Sequence, residues 1–170
     1  MVFISVSATA PVNSPLSSPK LSINDLYAAL VYKARYPKDF VAPIESSSVI
    51  HEHADGLTRK VMFKAGTMGK LEKQEVEEVV DFYPPTRVDF HVPATGMRVS
   101  NIISYASEDT ENEEELYLTF SFDFPHPEIT DREKQKQEAE EILERHRKGS
   151  AKVVPHTIEI ARQMKAEGRL

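Results

Sequence analysis

The chain contains no cysteine. That absence excludes disulfide staples, thiolate metal sites and thiol nucleophiles. No apolar run approaches the ~20 residues needed to cross a bilayer. The start, Met1-Val-Phe-Ile-Ser-Val-Ser-Ala, lacks the basic segment and long apolar stretch of a secretory signal, so a cytoplasmic location is expected. There is no concentrated basic face either. The net charge is −6, and Lys and Arg are interspersed with acids, which argues against nucleic acid as a partner. No G-x-S-x-G, P-loop or G-x-G-x-x-G motif is present, so the common hydrolase, NTPase and dinucleotide signals are missing and no cofactor is expected.

What remains is 170 residues, suited to one domain (1–170) able to bury roughly 70% of its unfolded surface. The acidic run at Glu108-Asp109 and Glu111 to Glu115 lacks the spacing and central glycine of an EF-hand and reads as a solvated loop.

Along the chain, Phe3 to Thr9 reads as a strand, with Phe3, Val6 and Ala8 among serines. Pro11 to Pro19 is a loop. Ser22 with Asp25 three residues later forms a capping signal, and Ile23, Leu26, Tyr27, Leu30, Val31 and Ala34 repeat at helical spacing. Pro37 ends that helix near Arg35, and a turn or second small helix runs to Val41.

From residue 45 to 124 the period changes to two. Ser46 to His53 leads to Asp55-Gly56, a type I′ hairpin signal. Leu57 to Ala65 carries Leu57, Val61 and Phe63 on one side, and Gly66 and Gly69 break it. Leu71 to Tyr83 carries Val76, Val80 and Phe82, and Pro84-Pro85 turns the chain. Arg87 to Val92 carries Val88, Phe90 and Val92; Met97 to Ala106 carries Met97, Val99, Ile103 and Tyr105. Leu116 to Phe124 carries Leu116, Leu118, Phe120, Phe122 and Phe124. The result is an α+β chain whose six-strand meander has one apolar face.

After Pro125 and Pro127 the pattern turns helical. Thr130 and Glu133 suggest a capping box, and Glu141–Arg145 and Glu144–Lys148 are spaced as ion pairs. Gly149-Ser150 and Pro155 interrupt the helix, Pro155 by removing an internal hydrogen bond. Beyond them Val153, Thr157, Ile160 and Met164 form a stripe, flanked by Val154, Ile158 and Ala161, that fits the apolar face of the sheet.

A sheet of seven strands at ~4.8 Å spacing is broader than one helix of about 10 Å, so an unfilled apolar volume between them is expected. The competing reading is that Phe63, Phe82, Phe90, Phe120 and Phe122 fill it. Three polar residues fall on apolar faces: Arg59, Glu78 and Asn101. A buried charge must be paired, so Arg59 and Glu78 should meet each other or a ligand. His51 and His53 lie two apart without further ligands and read as a solvent-facing pair, so no metal is expected. His91 faces solvent by parity, and His156 stands at a helix turn, as a cap or at the cavity.

Six runs carry a resemblance. They are LSINDLYAALVYKARYPKDFVAPIES, GLTRKVMF, EEVVDFYPPTRVDF, VSNIISY, ELYLTFSFDF and TIEIARQMKAEGRL. Together they resemble the fungal AtaL-like family of the START-like (SRPBCC) helix-grip superfamily, from about Ser5 to Leu170, with the YPP turn and the LTR and SN positions as its best motifs. The resemblance implies a curved seven-stranded antiparallel sheet around a long C-terminal helix, with two short N-terminal helices. It also implies a cavity for a hydrophobic lipid or secondary metabolite such as a polyketide. Arg59, Glu78 and Asn101 fall on its LTR, E-x-x-x-x-YPP and SN motifs. The stretch Pro125 to Lys152 is long and highly charged for a simple member.

The expected lining is Arg59, Val61, Phe63, Glu78, Val80, Phe90, Asn101, Ile103, Tyr105, Leu118, Phe120, Ile160 and Met164. The first reading is a binding module for an apolar small molecule, with Arg59 or Asn101 fixing a carbonyl or carboxylate. The second is a cofactor-independent cyclase, dehydratase or isomerase. In it a buried Glu78 acts as general base while Arg59 and Asn101 stabilise an enolate. The third is protein binding through the charged helix at 131–148.

Overall fold

The computed structural model describes residues 2–67, 71–106, 108 and 115–170. Gly69 and the acidic residues Asp109 and Glu111 to Glu114 lie outside them. Seven strands form one antiparallel sheet: β1 (Val2–Pro11), β2 (Ile44–His53), β3 (Gly56–Phe63), β4 (Gln74–Tyr83), β5 (Arg87–Val92), β6 (Met97–Tyr105) and β7 (Leu116–His126). Their spatial order is β1-β7-β6-β5-β4-β3-β2. The curved sheet grips two helices, α1 (Ile23–Arg35) and α2 (Lys136–Ala166), and Pro37–Asp39 forms a short 3₁₀ turn where a second small helix was expected.

The sheet has the two-faced chemistry that period-two patterning dictates. On the outer face of the β1–β7 pair, Ser5 donates to Asp123 at 2.5 Å, Ser7 to Ser121 at 3.1 Å, and Thr9 meets Thr119 at 2.9 Å. On the inner face one row crosses five strands: Leu57, Val80, Phe90, Val99 and Phe122 are successive cross-strand partners. The next row runs Phe82, Val88, Asn101, Phe120 and Ala8, with one polar member. In β1 the buried residues are Ile4 and Val6, while Phe3 turns outward and lies against Gly96.

Ser22 and Asp25 form the expected capping box of α1. Lys165 of α2 reaches Asp25 at 2.5 Å, and Arg162 donates to the carbonyls of Pro19 and Val12 at 2.5 and 2.6 Å, so α2 pins both the start of α1 and the loop before it. Helix α2 packs chiefly on β1, while α1 lies over β5 and β6.

Three local expectations are corrected. Pro155 neither breaks nor restarts α2, which runs unbroken through Gly149, Ser150 and Pro155. Pro155 and Ala151 are both exposed, so the carbonyl freed by the ring faces water, which can satisfy it. The box at Thr130 does not form; Asp131 accepts from the amides of Glu133 and Lys134, and Gln135 accepts from Thr130, winding a turn that delivers the chain into α2 at Lys136. Gly56 is not the left-handed residue of a type I′ turn; it opens β3 without a positive φ and is required instead by close approach, since a Cβ there would stand 2.0 Å from the Val80 carbonyl oxygen. Of the two expected ion pairs on α2, Glu144–Lys148 is made at 3.4 Å.

Candidate functional site

The β3–β4 register places Arg59 directly opposite Glu78 on the inner face. Both are buried, as the parity of their strands implied. Arg59 donates through Nε at 2.8 Å and Nη2 at 2.6 Å to the same oxygen, Glu78 Oε2. Its Nη1 reaches the carbonyls of Ala34 at 2.5 Å and Lys33 at 3.2 Å. These are orphan carbonyls in the last turn of α1, and a cation there also complements the helix dipole. Arg59 is therefore a clamp between sheet and helix, making four hydrogen bonds to the protein. Glu78 accepts two of these bonds on Oε2, so the candidate base of the enzyme reading is held in the clamp through that oxygen.

The group left in the middle is one the sequence patterning passed over. Lys33 is 5% exposed, and Asn101 is completely buried. Lys33 Nζ donates to Asn101 Oδ1 at 2.6 Å. It also sits over two aromatic faces, 4.5 Å from the centroid of Phe120 and 4.9 Å from that of Phe90. Burial, reinforced by the Arg59 charge and opposed by Glu78, pulls its ammonium down to about 7. The Asn101 Nδ2 beside it is buried without a hydrogen-bond partner among the described residues. An ammonium carries three donors, and Lys33 has one protein acceptor among the described residues. A charged cluster with an unsatisfied amide inside an apolar core is costly for stability alone, which is the signature of a site.

The signal for Lys33 was available. Leu26, Leu30 and Lys33 are spaced for one helical face, and the buried residues of α1 are Leu26, Ala29, Leu30, Lys33 and Ala34. Tyr27 and Val31, chosen instead from hydrophobicity, are half-buried.

The expected lining divides. Val80, Phe90, Ile103, Leu118 and Phe120 join one core with the buried faces of both helices. Val61 and Phe63 pack in a separate cluster with Ile44, away from that centre. Tyr105 is 36% exposed at the end of β6, and Ile160 is half-buried beside the stripe that Val154, Thr157, Ile158 and Ala161 form. Met164 is fully buried near the end of α2. The open volume expected from a single narrow helix is not found beside the central residues. Leu57, Val80, Val88, Leu116 and Leu118 have zero exposure, leaving no water-sized gap against them. Helix α1 shares the cover, and Lys33 fills the middle.

The cover thins toward one side. Phe90 is nearly buried, but its row neighbours Val99 and Phe122 are only partly so, as is Val153 of α2, which packs against the same core. From Phe120 the rings continue outward: Phe122 edge-on at 6.2 Å, Phe124 stacked on it at 5.6 Å, and His146 of α2 stacked on Phe124 at 3.8 Å. His146 Nε2 stands 2.9 Å from His126 Nε2, and His126 Nδ1 meets Glu128 at 2.6 Å. Burial and the charges of His126 and Arg145 pull His146 down to about 4, so its ring is neutral near pH 7.

The remaining histidines do little here. His51 and His53 are exposed neighbours, half-buried His91 lies on the outer face, and His156 is exposed, with its ring 3.1 Å from the Asp39 carbonyl. No cluster of three metal-ligating side chains occurs among the described residues, and no helix among them is long and apolar enough to cross a membrane. A shallow surface hollow lies along the charged half of α2, lined by Gln137, Glu140, Glu141, Glu144, Arg145 and Lys148.

The sequence profile of the AtaL family, described as acetylaranotin biosynthesis cluster protein L, matches residues 6–168. The chain belongs to this family. By sequence, no curated protein matches this AtaL-family chain. Its fold is shared by solved structures of low identity. The Zhui aromatase/cyclase from a Streptomyces species superposes with a TM-score of 0.64 at 14% identity, over 99% of each chain. The di-domain ARO/CYC StfQ from the steffimycin biosynthetic pathway gives 0.65 at 10% identity, over 97% of this chain and 52% of that one. A Staphylococcus aureus protein of unknown function gives 0.64 at 8% identity, over 98% and 97%.

Proposed function

We propose that this AtaL-family chain binds an apolar, aromatic-rich small molecule of the polyketide kind between the sheet and its two helices. The polar group of the ligand is held by Lys33 and Asn101. The observation that carries the reading is the buried Lys33–Asn101 pair with its unsatisfied amide, set at the inner end of the ring ladder Phe120, Phe122, Phe124 and His146. Flat rings entering from the thin side take the place of Phe122 and Val99 against Phe90 and Phe120. Their oxygen accepts from Asn101 Nδ2 and Lys33 Nζ. Each 100 Å² of apolar surface covered contributes about 2.5 kcal/mol, and the oxygen satisfies donors that otherwise stand idle. The likeness in fold to aromatase/cyclases supports this ligand class.

The test is a thermal-shift panel of hydroxylated naphthyl and anthracenyl ketones, fatty acids and peptides. The first group should raise the melting temperature in proportion to log concentration, and Asn101→Leu should abolish the shift. Flat curves across the aromatic ketones count against the proposal. An enzymatic cyclase or dehydratase reading is favoured by one further fact: an amine held near neutral pKa is a competent proton acceptor.

A further inference from the structure

We infer that Lys33 captures the ligand covalently, its amine condensing reversibly with a ketone or aldehyde carbonyl to form an imine. This inference rests on the binding reading above and specifies its substrate class: an aromatic molecule bearing an unhindered carbonyl. Three geometric facts carry it. The amine lies between the faces of Phe90 and Phe120 on a residue that is only 5% exposed, where a poorly solvated nucleophile is little quenched by water. A second cation, Arg59, is fixed nearby, its guanidinium carbon 5.1 Å from the centroid of the same Phe90 ring. The adjacent Asn101 Nδ2 is a buried donor with no partner among the described residues, suited to a carbonyl oxygen brought to Lys33. An apolar surround with a cationic neighbour is the environment that makes a lysine nucleophilic.

The step balances within the protein and ligand. The Nζ lone pair attacks the carbonyl carbon, and the C=O π electrons move to oxygen. One N–H proton passes to that oxygen, giving a carbinolamine. The second N–H proton leaves with the hydroxyl group as water while nitrogen and carbon form the double bond. Asn101 Nδ2 donates to the oxygen while it carries negative charge. No oxidant or cofactor enters.

The depressed basicity of Lys33 supports the reaction at neutral pH, where its unprotonated fraction exceeds that of a surface lysine by about a thousandfold. The groups facing it are Asn101 of β6, Phe90 of β5, Phe120 of β7 and the Arg59–Glu78 pair of β3 and β4.

The experiment incubates the full chain with 2-naphthaldehyde and cyanoborohydride at pH 7, which reduces an imine to a stable secondary amine. Intact mass and peptide mapping then locate the naphthylmethyl group. Labelling at Lys33 should saturate with reagent, outpace the surface lysines at least tenfold, and be suppressed by 2-naphthylmethanol, which fills the same space without a carbonyl. Lys33→Met, checked by circular dichroism for retained fold, should lose the saturable fraction only. If 2-naphthylmethanol raises the melting temperature while Lys33 stays unlabelled, covalent capture is overturned and the binding reading stands. If neither compound binds nor labels Lys33, both are overturned.

Discussion

Replacing Lys33 with Met tests the electrostatic state of the site without touching the clamp or the rings. In the folded chain burial, with Arg59 adding to it, draws the Lys33 ammonium down to about 7 from 10.5. Between those two values the unfolded chain holds a proton that the folded chain does not. Stability must therefore rise with pH across that window, by at most about 1.4 kcal/mol per unit and about 5 kcal/mol in all. Below about 7 the lysine is charged in both states and the full penalty is present. Met has a similar length and no charge, but it leaves Asn101 Oδ1 without its donor, which costs about 1–3 kcal/mol. The difference makes the variant the more stable protein at pH 6 by about 2–4 kcal/mol, and the advantage shrinks above pH 7 and reverses toward pH 10. Urea unfolding of both proteins at pH 6, 7, 8 and 9 measures this. Titration of Asp25, Tyr27 and His146 is common to the two and cancels in the difference. A difference between variant and parent that is constant from pH 6 to 9 refutes the reasoning, because it means Lys33 does not titrate in this range.

Other substitutions probe the frame. Gly56→Ala drives a Cβ into the Val80 carbonyl and the His53 ring, and chemical denaturation should show a loss above about 3 kcal/mol; a loss under 1 kcal/mol contradicts the close approach. Arg59→Met strands Glu78 as a buried unpaired charge and should cost about 3–5 kcal/mol, whereas Arg59→Met with Glu78→Met should recover most of it. A double variant as unstable as the single one shows that the clamp on the α1 carbonyls, not the ion pair, carries the energy. For His146, whose imidazolium is disfavoured down to about 4, the unfolded chain takes up the proton first as acid is added. Stability contributed by the neutral ring is present above pH 6.5 and lost as pH falls toward 4, so the melting temperature of the parent should fall relative to that of His146→Phe on acidification from pH 7 to 4.5, and a constant difference contradicts this.

Strand patterning carried most of the fold into view from the sequence. The parity of Leu57, Val61 and Phe63 in β3 and of Val76 and Val80 in β4 put Arg59 and Glu78 on the inner face, and the register then forced them together. The same parity placed Asn101. What parity could not show was the load carried by α1. Its lysine lies on the buried stripe, yet a charged residue is discounted when hydrophobicity chooses the stripe. The width argument gave the cover chiefly to α2 and little to the short α1, whose Lys33 reaches the central residues of the sheet. Pro155 was misread because its effect depends on which way the freed carbonyl points, and helical period alone does not reveal that. The His126–His146 contact joins β7 to α2 across residues that no local pattern connects.

The most direct measurement is a side-chain NMR titration with a hydroxynaphthyl ketone. It follows the Asn101 amide, the Lys33 methylenes adjacent to nitrogen, and the rings of Phe90, Phe120 and Phe122. The account predicts saturable shifts at all five, with the outer-face serines Ser5, Ser7 and Ser121 unmoved. Shifts confined to the charged half of α2 around Glu140, Glu144 and Lys148, or no shifts at Lys33 and Asn101, contradict it.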